Sequence, residues 1–126
     1  MAEESLVYDF EKLDVYQCAL DLMKALFSIN NEIPASLQYS VGNQLIRAGL
    51  SVSNNIAEGS GKLSAKEKRR YYGTAIDSCR ECVSILNVLK NENLVDKKNT
   101  EASRVLCHRI TSMMYKLIRS AKDFTQ

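Results

Sequence analysis

The sequence predicts an all-α protein, an antiparallel up-and-down four-helix bundle, on three observations. Apolar residues recur at intervals of three and four along four long segments, the spacing that lines one side of an α-helix. One proline and five glycines in 126 residues leave little punctuation for a turn-rich β architecture. The connectors are short, which favours neighbouring helices running in opposite directions.

The first helix is expected over about residues 10–30. Leu13, Tyr16, Leu20, Met23 and Phe27 form its stripe, widened by Ala19, Leu22 and Leu26. Pro34 disfavours helix at Ile33 and ends the pattern. The second helix is expected over about 37–58, with Val41, Leu45, Val52 and Ile56 on its stripe. Ala48 and Gly49 form a shallow middle that lets another helix approach closely, so both are assigned to a packing seam or interface. Asn55 and Glu58 stand among apolar neighbours near the end of this helix. They are expected to be partly buried and paired, setting register or a subunit contact. Gly59 and Gly61 stop the helix.

Ser64 and Glu67 have the spacing of a capping box, so a third helix is expected over about 65–90. Tyr72, Ile76, Cys79, Val83, Leu86 and Leu89 mark its buried side. The polar connector NENLVDKKNT leads to a fourth helix over about 100–124, with Leu106, Ile110, Met113, Leu117, Ala121 and Phe124 on its stripe.

The length fits one domain spanning 1–126. No apolar run approaches the ~20 residues that cross a bilayer, so no membrane partner is expected. The acidic start lacks the basic, then apolar, order of a signal peptide, and a cytoplasmic location is expected. Cys79 and Cys82 have C-x-x-C spacing but share a helical stripe, and with Cys18 and Cys107 they read as core. No Glu-x-x-His pair occurs, the single histidine (His108) has no evident orienting partner, and GSGK lacks the earlier glycine of a phosphate loop. The expectation is a non-enzymatic protein without metal or cofactor.

Charge is unevenly placed. Three cations against eight acids leave residues 1–60 at −5, while fourteen against seven leave residues 61–126 at +7. Lys62, Lys66, Lys68, Arg69 and Arg70 surround the start of the third helix, where a helix N-terminus also attracts anions. Arg109, Lys116 and Arg119 lie on roughly one side of the fourth. Arg47, Lys66, Arg69, Arg70, Arg109, Lys116 and Arg119 are the expected phosphate contacts for RNA or DNA. Tyr71 and Tyr72 are candidates for base stacking, although at least one is expected in the core. The plainer alternative is a solvated basic face on a structural scaffold or protein-interaction module. Its working surface would be the small-residue seam and the acidic first half. Apolar faces wider than one bundle needs predict a homo-oligomer, against the alternative of a monomer with a thick core.

The run FEKLDVYQCAL, then Gln44, Leu45, Arg47 and Ala48, then Asn55-Ile-Ala-Glu-Gly59, then Ser64 and Glu67 carries a family likeness. Phe10, Leu13, Val15, Tyr16 and Ala19 supply its first motif. The chain resembles the four helix bundle protein family, also called the 23S rRNA intervening-sequence protein or S23-like family, over almost its whole length. The resemblance implies a bacterial up-down bundle assembled as a homopentamer, for which most members have no established activity. The family is also similar to the accessory variability protein of diversity-generating retroelements, a basic pentamer that binds nucleic acid and a reverse transcriptase. The net charge of +2 is modest beside those strongly basic proteins.

Overall fold

Helix α1 spans Asp14–Glu32 and follows a single 3-10 turn at Asp9–Lys12. The helix expected from residue 10 therefore starts a turn later: Phe10 lies in the 3-10 turn, its ring edge-on to Tyr16 at 4.9 Å. The computed structural model describes residues 6–124. The expected domain limits of 1 and 126, and the first residues of the acidic start, lie outside the described residues.

α1 buries Val15, Cys18, Ala19, Leu22, Met23, Leu26 and Ile29. Leu20 and Phe27, expected on the buried stripe, are instead 42% and 51% exposed. Two adjacent stripes of this helix both satisfy the three–four spacing. The stripe with the short side chains Cys18 and Ala19 faces the neighbours, because helices close most tightly over small residues.

Beyond α1, Ile33 is extended (φ −68°, ψ 132°), as the residue before a proline prefers. The Gln38 amide donates to the Ile33 and Asn30 carbonyls at 3.0 and 3.3 Å, satisfying acceptors that a helix end leaves open. A short turn at Ala35–Leu37 and a wide π-turn at Gln38–Gly42 lead into α2, Asn43–Ser60. Regular helix thus begins six residues after the expected 37, and it passes through Gly59 without stopping there.

α3 spans Ala65–Asn91, and the Ser64 hydroxyl accepts from the Glu67 amide at 3.1 Å. Glu67 does not close the capping box; its carboxylate takes Arg70 at 3.0 Å. Tyr72, Ala75, Ile76, Cys79, Cys82, Leu86 and Leu89 are buried, with Val83 half-buried beside them. The helix ends in a Schellman motif. The Leu94 amide reaches the Leu89 carbonyl and the Asn93 amide that of Lys90, each at 3.0 Å. Asn93 takes the left-handed conformation (φ 56°) that asparagine tolerates.

Asp96 caps α4, Lys97–Ser120, accepting from the Lys98 and Asn99 amides at 2.7 and 3.2 Å. The expected limits of 100 and 124 therefore move to 97 and 120. The acidic cap lies upstream of Asn99, and the tail leaves the helix to place the Phe124 amide on the Leu63 carbonyl. Thr100, Ser103, Cys107, Ile110 and Met114 are buried. Leu106, Met113 and Leu117 flank this line half-buried, and Phe124 is exposed.

α1 and α3 each pack against both α2 and α4, so the four antiparallel helices form a ring around one core. No strand occurs among the described residues. No helix among them is long and apolar enough to cross a membrane.

Candidate nucleic-acid interface

The up-down order brings the N-terminus of α3 beside the C-termini of α2 and α4. Helix C-termini carry partial negative charge and open carbonyls. The cations at the start of α3 answer them. Lys68 Nζ donates to the Ser60 carbonyl at 2.9 Å, and Arg69 donates to those of Ile118 and Ala121 at 3.3 and 3.4 Å. Lys68 and Arg69 therefore act first as caps of neighbouring helices.

The remaining cations at this end face outward. Lys66 is exposed. Arg70 forks onto Glu67 and also lies 4.5 Å from the centre of the Tyr71 ring, while Lys62 Nζ stands 4.9 Å from that centre. The Arg70 hydrogen bond holds the Glu67 carboxyl below its ordinary range. Tyr71 is half-buried and flanked by two cations, whereas Tyr72 is core. Lys62, Lys68 and Lys122 line a depression of about 540 Å³, together with the acidic Asp9 and Asp123. Asp123 Oδ1 accepts the first amide of α3, that of Ala65, at 2.7 Å. The helix N-terminus expected to take an external anion is thus already occupied by Asp123 and Ser64.

Of the seven expected phosphate contacts, Lys66, Arg69, Arg70, Lys116 and Arg119 share this end of the bundle. Arg109 lies seven residues further from the end than Lys116, against the Cys18 thiol of α1. Arg47 is exposed on α2, diagonal to α4, so one chain does not present it with the α4 cations. A fourth helix running to about 124 would set Lys122 on the same side as Arg119; α4 instead ends at Ser120, and Lys122 and Asp123 lie in the tail that returns to Leu63.

The small-residue seam is used inside the chain. A Cβ on Gly49 would lie 2.6 Å from both Leu26 Cδ1 and Met23 Sδ, so α1 closes on α2 at that point, with Ala48 buried beside it. Asn55 is half-buried and donates to the Ser51 carbonyl and hydroxyl at 2.8 and 3.1 Å. Ser51 in turn meets Ser78 of α3 at 2.7 Å, so Asn55 belongs to a polar link between helices. Glu58 is exposed and forms no ion pair among the described residues, contrary to the expected buried pairing. The last turn of α2 leaves it facing outward.

All four cysteines are buried and unbridged. Cys79 is pushed up by its hydrogen bond with Cys107 and by burial. For Cys107 the Cys79 contact pulls down, but the Cys82 contact and burial outweigh it and push the thiol up to about 12. Among the described residues no three His, Cys, Asp or Glu side chains are placed to hold a metal ion.

A family model described as 23S rRNA-intervening sequence protein matches residues 11–116. A solved structure from Bacteroides thetaiotaomicron, described as a protein of unknown function from the S23 ribosomal protein family, superposes with a TM-score of 0.77. It is 16% identical, with 84% of this chain and 96% of that chain covered. At that identity the likeness is one of fold. No curated protein matches the chain.

Proposed function

This chain belongs to the 23S rRNA-intervening sequence protein family, and from that premise we propose a non-enzymatic, cytoplasmic homopentamer that binds nucleic acid through its basic end. One observation carries the reading. Lys62 and Arg70 flank the Tyr71 ring where α2 gives way to α3, Lys122 lines the adjoining depression with Lys62, and Lys66 and Arg119 are exposed on the terminal turns of α3 and α4 at the same end. Phosphates are met by the ammonium and guanidinium groups, and an unpaired base has an aromatic face to stack on. Copies arranged about an axis repeat this end into a ring of positive potential. Leu20 and Phe27, apolar and exposed on α1, supply surface for such a contact.

The family description refers to 23S rRNA intervening sequences, which makes a structured RNA the first ligand to test. The experiment is binding of the purified protein to a structured RNA and a matched duplex DNA across a salt series. Affinity falling steeply with salt supports the proposal, and no binding at low salt removes it.

On the retroelement analogy, a nucleic-acid-handling protein such as a reverse transcriptase is a further partner for the same basic surface. A second reading is a scaffold or protein-interaction module with no nucleic-acid role. It is favoured by Lys68 and Arg69, which bond to the protein's own carbonyls. Capture of a defined protein partner by a sample free of nucleic acid favours it.

A further inference from the structure

Away from the basic end, α3 and α4 frame an outer groove of about 630 Å³, within the size range of small-molecule sites. Val83 and Val105 give it an apolar lining, with the buried Cys79 and Cys107 at its floor. Both thiols stay protonated at neutral pH, so they add no negative charge there. Arg80 enters from α3, and Arg104 and His108 from α4. Arg104 is only partly engaged: Nη1 donates at 3.3 Å to Glu101, whose carboxylate also lines the groove, and the rest of the side chain is part-exposed. Arg80 forms no ion pair among the described residues. A guanidinium held at one nitrogen of its fork and still part-exposed can turn its remaining donors to an incoming oxyanion, in competition with Glu101.

We propose that this groove binds a small organic anion, an oxyanion joined to an apolar or aromatic body. The oxyanion takes Arg104 and Arg80, and the body lies on Val83 and Val105, above the buried thiols of Cys79 and Cys107. Phosphate monoesters and carboxylates share this chemistry, and the site is independent of the basic end.

The test is backbone-amide NMR of the full chain titrated separately with adenosine monophosphate, benzoate and inorganic phosphate. Shifts centred on Arg80, Val83, Arg104 and His108 are expected with one or both organic anions, and weaker ones with inorganic phosphate. A response to the nucleotide alone identifies a phosphate ester, and a response to benzoate alone a carboxylate. Arg104→Gln and Arg80→Ala each weaken the interaction roughly tenfold, and Lys66→Glu leaves it unchanged. Arg80 is exposed, so its variant keeps the fold even where the Arg104 variant does not. The proposal is overturned by no shifts up to about 10 mM ligand, by shifts confined to residues 62–71, or by unaltered affinity in the folded Arg80 variant.

Discussion

Gly59 and Gly73 both lie within helices, yet an added methyl group meets opposite surroundings at the two positions. At Gly59 the new Cβ would sit 2.7 Å from the Tyr72 ring and 3.0 Å from Tyr71 Cβ; at Gly73 nothing stands within 4 Å. Gly73→Ala is expected to stabilise the protein by ~0.5–1 kcal/mol through helix propensity. Gly59→Ala is expected to destabilise by ~1–2 kcal/mol, because a flat, buried ring cannot yield as cheaply as a flexible chain end. Equilibrium urea unfolding of both variants measures the pair, and equal signs would contradict the packing described. The buried thiols give a second test. Their pKa values lie above the ordinary 9.0, with Cys107 at about 12, so the unfolded chain releases protons that the folded chain keeps. Their stabilisation is complete below about pH 9 and declines as the pH rises toward 12, by up to ~1.4 kcal/mol per pH unit per thiol. Reduced protein unfolded in denaturant at pH 7, 9 and 10 should show that decline, with a flatter profile in Cys107→Ala. Their burial was legible from the helical stripe. The contacts among Cys79, Cys82 and Cys107 were not, because they join two helices whose relative register no local spacing encodes.

Each helix is fixed as much by its ends as by its face. Asp96 holds the start of α4, and the Glu32 carboxylate joins it by accepting from the Asp96 amide at 3.0 Å and the Asn99 side chain at 3.2 Å. Asp96→Ala should cost ~1 kcal/mol in thermal or denaturant unfolding, as an N-cap does. A value near zero would mean that the cap geometry contributes little. Helix number, order and the Ser64 cap could be read in advance, because periodicity and capping chemistry are local. Rotation about the axis was harder to read. α1 turns Leu20 and Phe27 outward and buries Cys18 and Ala19, while α4 buries Cys107 and Met114 with Leu106 and Met113 at the flanks. Thr100 and Ser103 are buried polar residues on α4 that an apolar stripe does not single out. The Thr100 hydroxyl solves its burial by donating to the Asp96 carbonyl at 2.9 Å. The basic site followed the same pattern. Which residues cluster at the start of α3 was evident, but that Lys68 and Arg69 answer the carbonyls of neighbouring helices depends on antiparallel packing.

The bundle encloses a core in which α1 and α2 close over Gly49, and leaves outward Leu20 and Phe27 on α1, the basic end and the α3–α4 groove. Gly49 already closes on α1 and Ala48 is buried beside it, so the proposed homo-oligomer would have to use surface the single chain leaves exposed. Phe27→Glu should shift the protein to a smaller species in sedimentation while its helical circular dichroism is retained. An unchanged oligomer would move the interface elsewhere. Nucleic-acid binding by the basic end is tested by comparing two variants. Lys66→Glu combined with Arg70→Glu is measured against Arg47→Glu, each binding a structured RNA across a salt series. The double variant should bind at least roughly tenfold more weakly and show a shallower salt dependence, by about one unit of slope for each phosphate no longer neutralised. Arg47→Glu, on the diagonal helix, should bind like the parent. If the double variant binds as the parent does at low salt, the basic end is not the nucleic-acid surface.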